Sequence, residues 1–229
     1  NVDRAESEPV EARRVNAAGA GALAEACAAS GIPLLHLSTD YVYDNQLNRP
    51  LRENDPTTPR SVYAQTKLEG DRLVLDRHAN SLVVRTSWIY SPFGHNFVKT
   101  MLRLGRERPA LRVVYDQIGA PTYAHDLART LLTIIERTEQ GHTADAAWGQ
   151  VYHYANEGVC SWYDFALAIF ERCCIQCPVE AIETVDFPTP APRPHFSVLN
   201  KDKIKQTFDL QLPHWRDSLQ DCLERLART

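Results

Sequence analysis

Ile32-Pro33-Leu34-Leu35-His36-Leu37-Ser38-Thr39-Asp40-Tyr41 is the stretch on which the fold turns. Its apolar run, 32–37, has the length of a strand and ends in a cluster of hydroxyls and a carboxylate. Upstream, residues 8–30 are Ala-rich, with Val15, Leu23 and Cys27 at helical spacings and Gly31 as a stop, which predicts a helix. Downstream, residues 38–59 contain Pro50, Pro56 and Pro59 and predict a long loop; in a compact domain such loops are usually functional. Residues 61–78 predict the next helix and residues 81–86, with Leu82-Val83-Val84 at the centre, the next strand. Strands that alternate with helices predict an α/β fold, a doubly wound parallel sheet with helices on both faces. Open sheets of this kind place ligands beyond the carboxyl ends of their strands, where Ser38-Thr39-Asp40-Tyr41 stands.

The second half continues less regularly. Residues 87–94 predict a loop, 95–108 a helix, 111–115 a strand and 122–137 a helix entered near Tyr123. Residues 141–149 read as a surface loop and 151–155 as a strand. Ser161 caps a helix reaching to about Cys174, and residues 179–184 form a further strand. Pro188, Pro190, Pro192 and Pro194 exclude regular structure from 188–194. The shift in composition after Ser87 predicts a smaller C-terminal substrate-binding lobe. It divides the chain into 1–87, sheet domain, and 88–229, a mixed region in which remaining sheet elements interleave with the lobe.

At 229 residues the chain is long enough for one large domain or a domain plus a lobe. Its 44% hydrophobic content is that of a globular protein. A net charge of −4 with no long basic run gives no support to nucleic-acid binding. No apolar stretch of about 18 residues is present to span a membrane, and residues 1–9 are too polar and acidic for a signal peptide. Cys173-Cys174 and Cys177 lack a second pair at zinc-site spacing, so buried, reduced thiols near a helix end, in a cytoplasmic protein, are expected for them and no metal.

Tyr63 and Lys67 stand four apart on the predicted helix 61–78 and share its face. A nearby ammonium favours the phenolate and is expected to lower the tyrosine from its usual value near 10. Such a phenol exchanges a proton with a carbonyl oxygen at neutral pH. The spacing alone also suits two residues of an exposed helix face. Thr39, at a strand's end 24 residues before Tyr63, narrows the choice: its hydroxyl could reach the same carbonyl, or serve as an ordinary turn former.

These motifs, with Val2-Asp3-Arg4-Ala5-Glu6-Ser7-Glu8, Tyr41-Val42-Tyr43-Asp44, Leu68-Glu69-Gly70, Arg85-Thr86-Ser87-Trp88-Ile89-Tyr90, Asn96-Phe97-Val98-Lys99-Thr100-Met101-Leu102, Asp116-Gln117-Ile118-Gly119-Ala120-Pro121-Thr122 and 188–194, resemble the extended short-chain dehydrogenase/reductase superfamily. Within it the chain is similar to the dTDP-4-dehydrorhamnose reductase family over almost its whole length. The resemblance implies a Rossmann-like fold and NADPH- or NADH-dependent reduction of dTDP-4-dehydro-L-rhamnose to dTDP-L-rhamnose. It implies a nucleotide-sugar substrate, a cytoplasmic enzyme, and a monomer or homodimer with no nucleic-acid or membrane partner. Tyr63 would be the general acid. Lys67 would hold the nicotinamide ribose and tune Tyr63, so both bind cofactor. Thr39 would hydrogen-bond the reacting oxygen and Asp40 a sugar hydroxyl. Tyr41 and Trp88 would touch the substrate, and Arg193 would pair with its diphosphate.

Two departures and two rival readings qualify this. No G-x-x-G-x-x-G occurs, and Gly19-Ala20-Gly21 is no substitute, so the chain, which begins at Asn1 and has Met101 as its sole methionine, is expected to be the larger, C-terminal part of an enzyme and to be inactive alone. Magnesium at a glutamate-lined dimer interface is described in some members; here His125 follows Pro121-Thr122-Tyr123-Ala124, and the metal is not carried over. A nucleotide-sugar epimerase or dehydratase of the superfamily is the nearest alternative, but dehydratases put Asp-Glu after the threonine and here Tyr41 follows Asp40. A non-catalytic subunit like the regulatory partner of methionine adenosyltransferase is the other; Trp88 and the run 116–122 favour the reductase.

Overall fold

The computed structural model describes residues 1–43, 47–142 and 144–228; Asp44, the last residue of one motif, lies outside them, as does Thr143 in the loop expected at 141–149. The chain opens with α1 (Val2–Ser7), capped by the Asn1 side chain on Arg4 N–H, and α2 (Pro9–Arg13), with Pro9 at its first turn. A π-helical stretch (Arg14–Gly19) leads into α3 (Ala20–Ala29). The single helix expected over 8–30 is therefore segmented, and α1 was not anticipated at all. Its polar sequence carries no apolar stripe; only Ala5 is buried.

Strand β1 (Leu34–Thr39) runs into a 3-10 turn (Asp40–Tyr43), then α4 (Val62–Arg77), capped by Ser61, and β2 (Ser81–Thr86). There follow β3 (Ile89–Tyr90), α5 (Phe97–Glu107), β4 (Leu111–Val114), β5 (Ile118–Gly119), β6 (Thr122–Tyr123) and α6 (Ala124–Glu139). The chain closes with β7 (Gln150–Tyr154), β8 (Cys160–Ser161), α7 (Trp162–Arg172), β9 (Val179–Ile182), α8 (Asp202–Phe208) and α9 (Trp215–Ala227). The two-residue strands fall inside expected loops and helix starts, because so short a strand has no periodicity to read.

Strands β1, β2 and β7 form a parallel sheet in the order β1-β2-β7, with Thr39 level with Thr86 and Thr86 with Tyr154 at the carboxyl ends. Alternation along β2 sets the layers. Val83 packs with Ala20 and Ala24 of α3 and Val74 of α4. Leu82 and Val84 face the other way, onto Leu127 and Ile134 of α6 and Ile204 and Phe208 of α8. Helices thus cover both faces, as expected. β7 enters this sheet from beyond residue 88, and β1 is its outer strand, with Leu37 40% exposed. A second core gathers Val98, Met101, Phe165, Ile169 and Trp215 around the parallel pair β4–β9. All six cysteines are free; Cys177 is buried as expected, whereas Cys174, held past the end of α7 with a positive φ, is exposed.

The π-helical stretch presses Asn16 and Ala17 onto α4. Asn16 Nδ2 donates to Thr66 Oγ1 at 3.0 Å, and a Cβ added at Gly70 would overlap the Asn16 carbonyl oxygen. Gly70 is thus required by a backbone-to-backbone approach, which no rotamer change can relieve. Gly70→Ala is expected to cost about 1–3 kcal/mol by urea unfolding. An unchanged midpoint would contradict this packing.

Candidate active site

Helix α4 carries Tyr63, Lys67 and Asp71 at steps of four, on one face turned to the carboxyl half of β1 and β2. Both Tyr63 and Lys67 are half-buried. Thr39 and Asp40 enter from the end of β1. The Thr39 hydroxyl donates to Asp40 Oδ1 at 3.2 Å and accepts from Tyr41 N–H at 3.2 Å, which fixes the turn. It also lies against Tyr63, where it favours the phenolate. The Tyr41 ring meets that of Tyr63 edge-on, centroids 5.8 Å apart. The structure therefore brings together Thr39, Asp40, Tyr41, Tyr63 and Lys67.

The acidity expected of Tyr63 is not what this arrangement gives. Burial raises the phenol above its ordinary value, and the carboxyls of Asp40 and Asp71 push the same way. Lys67 does not offset them, because its ammonium donates instead to the Leu37 carbonyl at 2.7 Å and lies 3.4 Å from His36 Nε2. A phenol in this setting stays protonated at neutral pH, the state a proton donor needs.

Asp40 is 2% exposed. Its Oδ1 takes the Thr39 bond; the Ser197 hydroxyl lies near, but no hydrogen bond of good geometry reaches Oδ2. Burial raises its carboxyl to about 7, opposed by the Ser197 and Thr39 hydroxyls.

Two cavities adjoin the pair of tyrosines. One, of about 410 Å³, is lined by Tyr41, Phe97, Met101, Trp162, Phe187 and Gln117, with Asp3, Arg112 and Arg193 among its polar residues. The other, of about 210 Å³, lies between Tyr63 and residues of α1, α2 and the π-helical stretch, including Ala5, Val15 and Asn16. Arg193, expected from the resemblance to pair with the substrate diphosphate, has an acidic partner in this structure. It donates to Asp3 Oδ2 at 2.7 Å, and its guanidinium lies 5.9 Å from the centre of the Tyr41 ring. The motif residue Asp3 holds it there, a pairing across the length of the chain with no local signature.

Trp88 sits with φ of 47°, a strained value for a tryptophan. Its ring stacks on Trp162 at 3.6 Å and 10°. Gly119 provides the seat, since a Cβ there would stand 2.7 Å from the indole. Trp88 is thus linked to the larger cavity through Trp162, which sequence reading passed over as the first residue of a capped helix. His36 and Asp71 were passed over too, one as a strand residue and the other as a helix charge. His125 lies 3.2 Å from Arg225 Nη2, and among the described residues no cluster of three or more His, Cys, Asp or Glu is placed to hold a metal.

The sequence matches the family described as the RmlD substrate binding domain over residues 1–228. The chain belongs to that family. A dTDP-4-dehydrorhamnose reductase of Sinorhizobium fredii is 45% identical over 221 residues, covering 95% of this chain and 74% of the relative. The crystal structure of a dTDP-4-dehydrorhamnose reductase from Clostridium acetobutylicum superposes with a TM-score of 0.92 at 38% identity, over 99% of this chain and 77% of that one. That of Bacillus anthracis, in complex with NADP, gives 0.91 at 35% identity, over 98% and 77%. No helix among the described residues is long and apolar enough to cross a membrane.

The raised Asp40 carboxyl has a consequence for this family member. The native state keeps that proton to higher pH than the unfolded chain, so stability from Asp40 is lost as pH rises from its ordinary 3.8 through about 7. Asp40→Asn should therefore gain stability relative to the parent as pH rises from about 4 to about 7, by up to roughly 1.4 kcal/mol per pH unit, and no further above that. A difference that does not vary with pH, by urea unfolding, would contradict the assignment.

Proposed function

We propose that this chain carries the substrate-binding and proton-donating part of an NADPH- or NADH-dependent reductase that converts dTDP-4-dehydro-L-rhamnose to dTDP-L-rhamnose. The observation that carries this reading is a protonated, half-buried Tyr63, with Thr39 beside it and Lys67 one turn on, between two cavities at the carboxyl end of a parallel sheet. Family membership supports it, as does the NADP in the Bacillus anthracis relative.

The residues on the Tyr63 side suit a nicotinamide ribose. Tyr63 lines the smaller cavity, Lys67 stands one turn on along α4, and the buried Ser38 hydroxyl has no hydrogen bond of good geometry. The dinucleotide, when bound, supplies the hydride for the keto carbon. Tyr63 would give its proton to the C4 oxygen as that oxygen gains charge, becoming a phenolate that solvent reprotonates. Thr39 would hold the same oxygen and favour the phenolate through its contact with Tyr63, and Lys67 would hold the nicotinamide ribose. Asp40 Oδ2, buried without a good hydrogen bond, would take a sugar hydroxyl.

The larger cavity, apolar within and polar at its edge, would take the nucleotide end. Trp162 and, through it, Trp88 would form its aromatic wall, with Tyr41 toward the sugar. Arg193 would meet the diphosphate at the expense of Asp3, with Arg112 a second cation on the same cavity. On this reading residues 1–87 serve the dinucleotide half, and 88–229 interleave the remaining sheet with the substrate lobe.

Tyr63→Phe keeps the ring and removes only the acid. Turnover of the keto-sugar, followed by NADPH consumption in the full-length protein, should fall roughly a hundredfold or more with KM little changed. Near-normal turnover would overturn the role.

A further inference from the structure

The ammonium of Lys67 is held by more than its own helix and strand backbone. Nζ donates to Leu37 O at 2.7 Å and reaches His36 Nε2 at 3.4 Å. Asp71 Oδ1 lies 3.7 Å from that same nitrogen. Asp71 is 1% exposed. Its Oδ2 accepts from Arg85 Nε at 3.0 Å, while Oδ1 has no hydrogen bond of good geometry, although the Ser38 hydroxyl lies beside the carboxyl. Arg85 is anchored at its other end by neutral groups. Its Nη1 donates to the Tyr43 hydroxyl, which donates in turn to His153 Nε2 at 2.8 Å, and His153 Nδ1 meets Leu51 O at 3.1 Å. The carboxylate therefore keeps one oxygen for the His36 and Lys67 side.

We propose that His36 and Asp71 are positioning residues for Lys67, a neutral acceptor and a buried counter-charge that hold its ammonium one turn from Tyr63 and keep it charged. This rests on the reductase reading above. Two features fit it. Burial and the neighbouring Lys67 hold His36 down to about 4, so the imidazole is neutral and can accept. Burial also works to strip the proton from Lys67, and Asp71 is the group that opposes this. Among the other charges on and around α4, Arg72 and Asp76 are exposed and the rest have the following partners or neighbours. Glu6 accepts from Val62 N–H, Arg13 pairs with Glu69 and Arg77 with Glu25, while Asp40 faces Tyr63.

The test is a titration of Lys67 by carbon-13 NMR of the lysine ε-methylenes in the ligand-free full-length protein, assigned with Lys67→Met. Removing the acceptor in His36→Phe, or the counter-charge in Asp71→Asn, should lower the Lys67 midpoint by about one pH unit. His36→Gln, which restores an acceptor, should recover most of it. The alkaline limb of the kcat profile should move down by the same amount, with keto-sugar KM little changed. Melting temperatures separate a folding defect, and if Asp71→Asn does not fold, the Phe and Gln pair at His36 decides. A midpoint unmoved by His36→Phe, or lost equally with Gln and Phe, would overturn the proposal. Midpoints that shift as expected in a protein unable to reduce the keto-sugar would overturn the reductase reading and leave the positioning of Lys67 standing.

Discussion

The ion pair between Asp71 and Arg85, buried between α4 and β2, is the interaction on which the site depends. A buried pair of this kind adds little net stability compared with apolar packing, but it is costly to break and it sets register. Here it fixes the helix face whose next residues toward the N-terminus are Lys67 and Tyr63. On its other side α4 is pressed by the π-helical stretch, close enough that position 70 admits only glycine without displacement. The helix is thus clamped between a charge pair and a backbone contact, and Tyr63 inherits that placement.

The second core serves the site by a different device. Ser87 Oγ donates to Ala120 O at 2.8 Å and Thr86 Oγ1 to Thr122 Oγ1 at 3.2 Å, which tie the end of β2 to the segment around β5 and β6. That segment presents Gly119 under Trp88, and Trp88 in turn carries Trp162. Asp116 accepts from both the backbone and hydroxyl of Thr184, so the approach to the proline-rich loop is fastened to the same run. Backbone strain at Trp88 is held by this stacking and belongs with the cavity it helps to shape.

How much of this was legible follows from the range of each signal. β1, α4 and β2 could be read because local periodicity, Ser61 and Gly31 encode them within a few residues. Tyr63, Lys67 and Thr39 were singled out as candidates through a spacing on one helix and a cluster at one strand end. What escaped depends on contacts between distant segments. Arg193 with Asp3, Trp162 with Trp88, and Asp71 with Arg85 join partners that neither share a helix face nor alternate on a strand. The acidity of Tyr63 escaped for the same reason: burial, and a carbonyl at Leu37 that takes the neighbouring ammonium, have no sequence signature. The π-helical stretch escaped because an extra residue per turn leaves an Ala-rich pattern looking like one helix.

The central claim, that this site completes a hydride transfer to a keto carbon with Tyr63 as proton donor, is tested most directly by isotope tracing. The full-length protein would be given dTDP-4-dehydro-L-rhamnose and NADPH deuterated at the nicotinamide C4, and the product read by mass spectrometry and NMR. The account expects one deuterium, at C4 of dTDP-L-rhamnose. Product without deuterium at C4, or a product that has lost water instead of gaining hydride, would contradict it.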